Sequence, residues 1–442
     1  MNRNIHRTLL LLSIFLLAAV AASATVTVSV STPAATANVP TSFNVVASAT
    51  TDATGARVTG WYIYDGGTAV WNTPTGVSTS SINAPVSLGV GTHTVLVRAW
   101  DSTGAFGSQT LTLTASPCAG ICVTVSSPSA TQNVPTPVRF TASAADGTAH
   151  SITGFVVYSD GTNVYQNHIS TLDTWVILPT GSHSIYIRAW DSTGAFGTSA
   201  TFPISVQGTV IPTPLAGATT VNNIDDDTTT PTSSRGWGSC GTTSCAGGGA
   251  DATTFPMTQG VATPARDGAS TNFTITGPPY ADALWWNKLG AQDTKTNFLW
   301  DFWFYLPSSS TSAQAIEFDL WQTTSISGTM KKFMFGTQCD HGHWDSWDQV
   351  AGQWVPQTGL PCSFSTNTWH HLIYFVQRIG DSRDTLLYGN VTLDGTTTQW
   401  NIQAPSQASS WAADTGVQYQ LDIGSTGASL QEWIDQVTVT MW

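Results

Sequence analysis

The sequence predicts an all-β chain made of several sandwich domains. Three observations lead there. Short runs rich in β-branched and aromatic residues are separated by Gly, Pro and Asp-Gly turn signals, with no sustained helical periodicity. A segment of the N-terminal half returns once: Arg98 recurs as Arg188 and Asn38 as Asn133, periods of 90 and 95 residues. From about Ala216 onward the composition changes and tryptophan becomes abundant.

The chain opens with a basic stretch, Met1 to Arg7, then an apolar run from Leu9 to Val20, then Ala22-Ser23-Ala24. That order is the secretory signal pattern. It predicts a signal peptide over residues 1–24 and a mature chain from near Thr25. The run is shorter than the ~20 apolar residues a transmembrane helix needs. No later segment is apolar enough to span a bilayer, so a secreted or surface-associated product is expected, with no membrane span.

Composition narrows the partners. Only 9% of residues are charged and the net charge is −13, which leaves no basic footprint for nucleic acid. The 41% hydrophobic content and 19 tryptophans argue against a disordered chain. Six cysteines, an even count in an exported chain, favour disulfides. Proximity suggests Cys118–Cys122, Cys240–Cys245 and Cys339–Cys362, although six cysteines allow about 15 pairings. Zinc is a poor reading, because no pair has the C-x₂-C…C-x₂-C spacing.

The repeat is the most conspicuous string. Gly91–Gly107 returns as Gly181–Gly197, and the ten residues from Arg98 to Gly107 are identical to those from Arg188 to Gly197. The period is too long for a solenoid and suits a small whole domain. The Gly-Thr-His-Thr-Val-x-Val-x-Ala-Trp-Asp-x-x-Gly segment resembles the penultimate strand and final turn of bacterial Ig-like domains. By that resemblance, residues 25–117 and 121–207 are two tandem Ig-like β-sandwiches serving as spacers. Trp100 and Trp190 are expected in their cores, the default for a tryptophan in an apolar strand. The Val210-Ile-Pro-Thr-Pro-Leu215 segment gives a stiff Pro-rich linker over 208–215.

Residues 216–442 read as one large sandwich. In Phe298–Leu306, alternation puts Phe298, Trp300, Phe302, Phe304 and Leu306 on one face and Asp301, Trp303 and Tyr305 on the other. In Ala315–Gln322 it puts Ile316, Phe318 and Leu320 inward, and Glu317, Asp319 and Trp321 outward. Asp394-Gly395 is a hairpin turn signal. Trp369-His370-His371-Leu372 followed by Asp394-Gly395 resembles the laminin-G hairpin, and Glu317-Phe-Asp-Leu-Trp-Gln322 resembles the E-x-D-x-x-E strand of retaining β-glucanases. Both belong to the concanavalin A-like lectin/glucanase superfamily, a two-sheet jelly roll.

That resemblance implies a carbohydrate site. Glu317 would be the nucleophile and Asp319 its electrostatic partner. The acid/base position is Gln322, and an amide cannot protonate a leaving oxygen; losing that assistance costs ~10²–10⁴-fold. Asp340, Asp345 or Asp348 would be substitute acids. In lyase chemistry Gln322 would neutralise a uronate, with His341, His343 or Tyr305 as base. Trp303, Trp321, Trp344, Trp347 and Trp354 offer flat faces for sugar rings, with Trp303 and Trp321 placed beside Asp301, Glu317 and Asp319. His341-Gly-His343 lacks a third metal ligand. Jelly rolls of this kind carry a structural calcium between first and last strands, for which Asp226 (within Asp225-Asp226-Asp227) and Asp435 are the candidates. Asn272-Phe-Thr and Asn390-Val-Thr fit the glycosylation pattern. Three readings stay open: a secreted polysaccharide-binding protein, a glycoside hydrolase or polysaccharide lyase, and a cell-surface adhesin or matrix protein.

Overall fold

The computed structural model describes residues 25–128, 133–227, 236–380 and 383–442. The expected signal peptide lies outside them. The described chain is almost entirely β, in pairs of stacked sheets around three hydrophobic clusters. The three disulfides are the pairs that proximity suggests.

The first two sandwiches are built alike. In each, a three-stranded sheet covers a larger sheet centred on the strand that carries the repeat, Gly91–Asp101 or Gly181–Asp191. Alternation along that strand sends Val95, Val97 and Ala99 into one core, and Ile185, Ile187 and Ala189 into the other. The repeat ends in a tight turn. Asp101 Oδ1 accepts from Thr103 N (2.9 Å) and Ala105 N (3.1 Å), and Asp191 Oδ1 from Thr193 N (2.8 Å) and Ala195 N (3.0 Å). Gly104 and Gly194 supply the φ of +87° and +86° that these turns require.

Trp100 and Trp190 are not core residues. They share parity with Arg98 and Arg188, so they face outward. The Arg98 guanidinium lies 4.5 Å from the Phe106 ring and 5.7 Å from the Trp100 ring. The tryptophan of the first core is Trp61, fully buried, with Nε1 donating to Thr79 O at 2.9 Å.

The third sandwich is the largest. Its back sheet runs, in spatial order, Met257–Val261, Ser270–Gly277, Ala428–Met441, Asn297–Leu306, Thr368–Ile379, Thr385–Leu393 and Thr396–Pro405. Its front sheet runs Gly236–Cys240, Ala281–Lys288, Asp414–Ile423, Ala313–Ile326, Thr329–Asp340, His343–Asp348 and Gln353–Pro361. Neighbours along both paths are antiparallel. The inward residues predicted from alternation, Phe298 to Leu306 and Ile316 to Leu320, fill the space between the sheets. Asp394 and Gly395 both take positive φ, +48° and +81°, and form the predicted hairpin turn.

The second sandwich packs on the outer face of the back sheet. Gln377 Nε2 donates to Trp175 O (3.1 Å), Asn390 Nδ2 to Val210 O (2.7 Å) and Arg383 Nε to Asn167 Oδ1 (2.8 Å). This leaves the front sheet open. It also buries Asn390, while Asn272 is buried with Nδ2 donating to Glu432 O at 3.2 Å. Neither glycosylation sequon presents its asparagine to solvent in the folded chain.

Candidate functional site

The front sheet carries a cleft of about 1230 Å³. Its floor comes from strand parity and register. Glu317, Asp319 and Trp321 point into it from one strand. Glu317 stands opposite Gln338 and Gln420, Asp319 opposite Gly336 and Gln418, and Trp321 opposite Met334 and Gly416. Asp422 and Asp282 continue the row on the next two strands and pair with each other. Asp345 and Trp347 join from beyond Gln338.

Glycines seat the indoles. A Cβ on Gly416 would stand 2.5 Å from the Trp321 ring, one on Gly238 2.5 Å from Trp286, and one on Gly336 2.8 Å from Trp347 Cβ. Each tryptophan therefore lies across a neighbouring strand where no other residue would leave room. Trp347 and Trp354 meet edge to face at 5.1 Å, and exposed Trp411 packs against Trp321 at 6.1 Å. The result is a set of aromatic surfaces around a polar floor.

The floor is an array of carboxyl and amide groups. Gln420 Nε2 donates to Glu317 Oε1 (2.8 Å) and Asp422 Oδ1 (3.0 Å), and Gln418 Nε2 to Asp319 Oδ2 (2.7 Å). Thr337 N donates to Asp319 Oδ1 (3.0 Å), and Gln338 Nε2 to Asp345 Oδ2 (2.6 Å). Burial disfavours charge on Glu317, Asp319, Asp282 and Asp422. It pushes Glu317 well above the usual carboxylate range, reinforced by the neighbouring Asp422 and Asp319 charges. Asp282 is raised by burial and by Asp422, and Asp319 is raised by burial to about 7. Asp422 is raised least, because Glu317, Gln420 and Asp282 donate hydrogen bonds to it. Glu317 is raised further than Asp422, so the pair favours one proton held between the two side chains over two charges.

Several predicted site residues lie elsewhere. Gln322 is fully buried, with Nε2 donating to Gln292 O at 2.7 Å. Its parity is even while Glu317 and Asp319 are odd, and the register from Ala315 to Thr323 has no bulge to reset it. No acid/base position therefore exists at residue 322, and the amide cannot meet a uronate. Asp301, Trp303 and Tyr305 belong to the back sheet, on its outer face, with the whole core between them and Glu317. There Trp303 stacks on His371 at 4.3 Å and lies 3.3 Å below the Arg266 guanidinium, while His371 Nε2 pairs with Asp301 Oδ1 at 2.7 Å. Trp344 is a core residue, 2% exposed, packed on Phe318 and Tyr374.

Trp321, Trp347, Trp354, Asp340 and Asp345 do line the cleft with Glu317 and Asp319. His343 sits at its margin, paired with Asp345 at 2.9 Å. His341 occupies an exposed turn, and Asp348 caps Val350 N and Ala351 N at 3.0 Å each. Of the three alternative lyase bases, Tyr305 lies on the back sheet and His341 on the exposed turn, and His343 alone stands beside a cleft residue, Asp345. Sequence reasoning missed Asp282, Trp286, Trp411, Gln418, Gln420 and Asp422. The signal for half of them was present: Asp414–Ile423 alternates Gln418, Gln420 and Asp422 with Val417, Tyr419 and Leu421.

The calcium candidates lie at the far side of the sandwich. Asp225 is buried; its Oδ1 accepts from Val437 N at 2.8 Å, while its Oδ2 and Asp435 Oδ1 are buried without a partner. Burial and the charges of Asp226 and Asp435 push Asp225 up to about 7. Asp226 and Asp435 are raised too, by burial and by Asp267. The two orphaned oxygens are hard donors of the kind calcium takes, although Asp225, Asp226 and Asp435 do not gather within 4.8 Å as Asp146, His150 and Asp191 do.

No family model and no curated protein matches the chain. Solved structures do. One structure, from work on carbohydrate-binding modules of the β-sandwich superfamily, matches at 14% identity and TM-score 0.25, covering 72% of this chain and 97% of that one. Cellulose-induced protein Cip1 matches at 13% identity and TM-score 0.32, covering 49% and 94%. A family 11 carbohydrate-binding module from Clostridium thermocellum matches at 13% identity and TM-score 0.22, covering 51% and 96%. At TM-scores this far below 0.5 none of these likenesses bears on the chemistry, which has to be read from the cleft.

Proposed function

We propose that the chain is an extracellular carbohydrate-binding protein whose third sandwich, residues 216–442, holds a neutral polysaccharide in the front-sheet cleft. The observation that carries this reading is the pairing of glycine-seated indoles with a floor of side-chain amides and carboxyls. Flat aromatic faces suit sugar rings, and convergent polar groups suit their hydroxyls. The two N-terminal Ig-like units, 25–117 and 121–207, act as a stalk joined through the 208–215 linker. A cell surface or matrix is the setting that such a stalk suits.

Charge selects within the sugars. Seven acids line the cleft, Asp282, Glu317, Asp319, Asp340, Asp345, Asp414 and Asp422, against two lysines. Lys288 is paired with Asp414 at 3.5 Å and Lys332 sits 5.0 Å from the Trp411 ring. Even with burial keeping protons on Glu317 and Asp282, the other five acids outnumber the two lysines, so a polyuronate would meet like charge and neutral glycans are the expected class.

One observation favours a second reading, glycoside hydrolysis. A protonated Glu317 beside ionisable Asp319 and Asp422 supplies a general acid and a carboxylate in one cleft. A panel of neutral and uronic polysaccharides separates the two. Retention on a neutral glycan without new reducing ends supports binding alone. Reducing ends that disappear in Glu317→Gln support hydrolysis. No retention of any glycan would remove both.

We also propose a structural calcium held by Asp225, Asp226 and Asp435. There it would tie the segment that follows the short strand Thr219–Val221 to the last strand and neutralise the buried charge.

A further inference from the structure

The two N-terminal repeats differ at one equivalent position. Thr51 pairs with Val26 at the first strand of the first sandwich, and Asp146 pairs with Ile121 at the first strand of the second. Gly107 and Gly197 close against those same partners, Val26 and Ile121, so Thr51 and Asp146 correspond. In the first repeat Thr51 Oγ1 donates to Asp101 Oδ2 at 2.7 Å, completing a carboxylate whose Oδ1 is held by the turn. In the second repeat Asp191 Oδ1 is held the same way, but a carboxylate replaces the donating hydroxyl. Among the described residues no hydrogen-bond donor reaches Asp191 Oδ2, although the side chain is 2% exposed.

What faces that oxygen is His150. Its Nδ1 lies 3.7 Å from Asp191 Oδ2 and 3.3 Å from Asp146 Oδ2, and the three ligand atoms lie within 4.8 Å of one another. The first repeat has nothing comparable. Arg57 and Ser151 correspond, each accepting from the serine that follows the repeat aspartate, at 2.8 and 2.9 Å, and the residue before Arg57 is Ala56.

We propose that Asp146, His150 and Asp191 form a binding site for a divalent transition ion of the zinc class. Tetrahedral zinc has ligand bonds of ~2.0–2.1 Å, which sets ligand atoms roughly 3.4 Å apart. The 3.3 and 3.7 Å spacings match that edge. One imidazole and two carboxylates, with His150 on the solvent side, leave a fourth position open. Calcium, which takes about 6–8 oxygens, finds too few. Thr148 N donates to Asp146 Oδ1 and Thr193 N to Asp191 Oδ1, each at 2.8 Å, which holds the carboxylates from behind, while Thr148 Oγ1, 2.8 Å from both Asp146 Oδ2 and His150 Nδ1, occupies the position the ion would take over.

The test is calorimetric titration of the untagged, metal-stripped full chain with Zn²⁺ alone. Two variants accompany it: Asp146→Thr, which restores the hydroxyl found at Thr51, and His150→Ala, which alters a half-exposed side chain. The expected result is one more zinc equivalent on the natural chain than on either variant, whose affinity at this site falls roughly 100-fold or more. The zinc-dependent rise in thermal midpoint should fall with it. Equal stoichiometry and affinity in all three chains overturns the proposal. So does a natural chain that takes up no zinc, or one that takes Ca²⁺ in preference to Zn²⁺ at the positions these variants remove.

Discussion

Glu317 and Asp422 meet on one amide: Gln420 Nε2 lies 2.8 Å from Glu317 Oε1 and 3.0 Å from Asp422 Oδ1. Burial and mutual repulsion of two acids on adjacent strands favour one retained proton over two charges. The cleft floor thus combines a group that gives a proton with one that accepts it.

The shared proton has a stability signature. Unfolded, these carboxyls titrate near ~4. Folded, they keep their protons to higher pH, and Asp319 to about 7. Between those limits the folded state binds more protons, so stability is greatest at low pH and falls as pH rises through the folded values. Denaturant midpoints should therefore be lower at pH 8 than at pH 5. Glu317→Gln keeps a donor toward Asp422 and an acceptor for Gln420 but cannot ionise. It should flatten the profile and be more stable than the natural chain at pH 8 by ~1–3 kcal/mol. Superimposable profiles would contradict the shared proton.

Neighbouring tryptophans should separate by role. Trp344→Ala empties a core position and should cost ~3–5 kcal/mol of stability. Trp347→Ala and Trp411→Ala remove cleft walls. Each should weaken glycan binding by about 1–2 kcal/mol, ~5–30-fold in Kd, with a small change in thermal midpoint. Affinity electrophoresis alongside thermal melts reads both.

The Cys339–Cys362 bridge closes the segment that carries Asp345, Trp347 and Trp354. Chain entropy assigns a loop of 23 residues about 3 kcal/mol. The double serine variant should lose that stability and part of the glycan affinity. Loss of the Cys118–Cys122 bridge, only four residues apart, should cost much less.

Chelation addresses the calcium proposal. EDTA should lower the thermal midpoint of the natural chain, and excess calcium should restore it. Asp435→Asn should reduce both responses. A midpoint indifferent to chelator and calcium would remove the ion from the account.

Local chemistry was legible in the sequence, and non-local pairing was not. Alternation placed Glu317, Asp319 and Trp321 on one face, and Asp394-Gly395 announced its turn. Parity could also have excluded Gln322, since residues 317 and 322 differ by an odd number on an unbroken strand. Alternation says which side chains share a face, but not whether that face lines a cleft, an interface or open solvent. Trp303 and Trp321 have the same local pattern and lie on different sheets with opposite outlooks. Asp422 and Asp282 reach Glu317 only through strand pairings that join residues about 100 and 35 positions away along the chain, and loop closure over such distances leaves no local mark. Trp100 shows the same limit at smaller scale, because an apolar strand still alternates and sends every second side chain outward.

The most direct measurement is retention of the natural chain and of Trp347→Ala on immobilised neutral polysaccharides and on polyuronates at matched ionic strength. The cleft account predicts retention on at least one neutral glycan, loss of that retention in Trp347→Ala, and none on polyuronates. Retention confined to polyuronates, or retention on a neutral glycan that Trp347→Ala leaves unchanged, would contradict it.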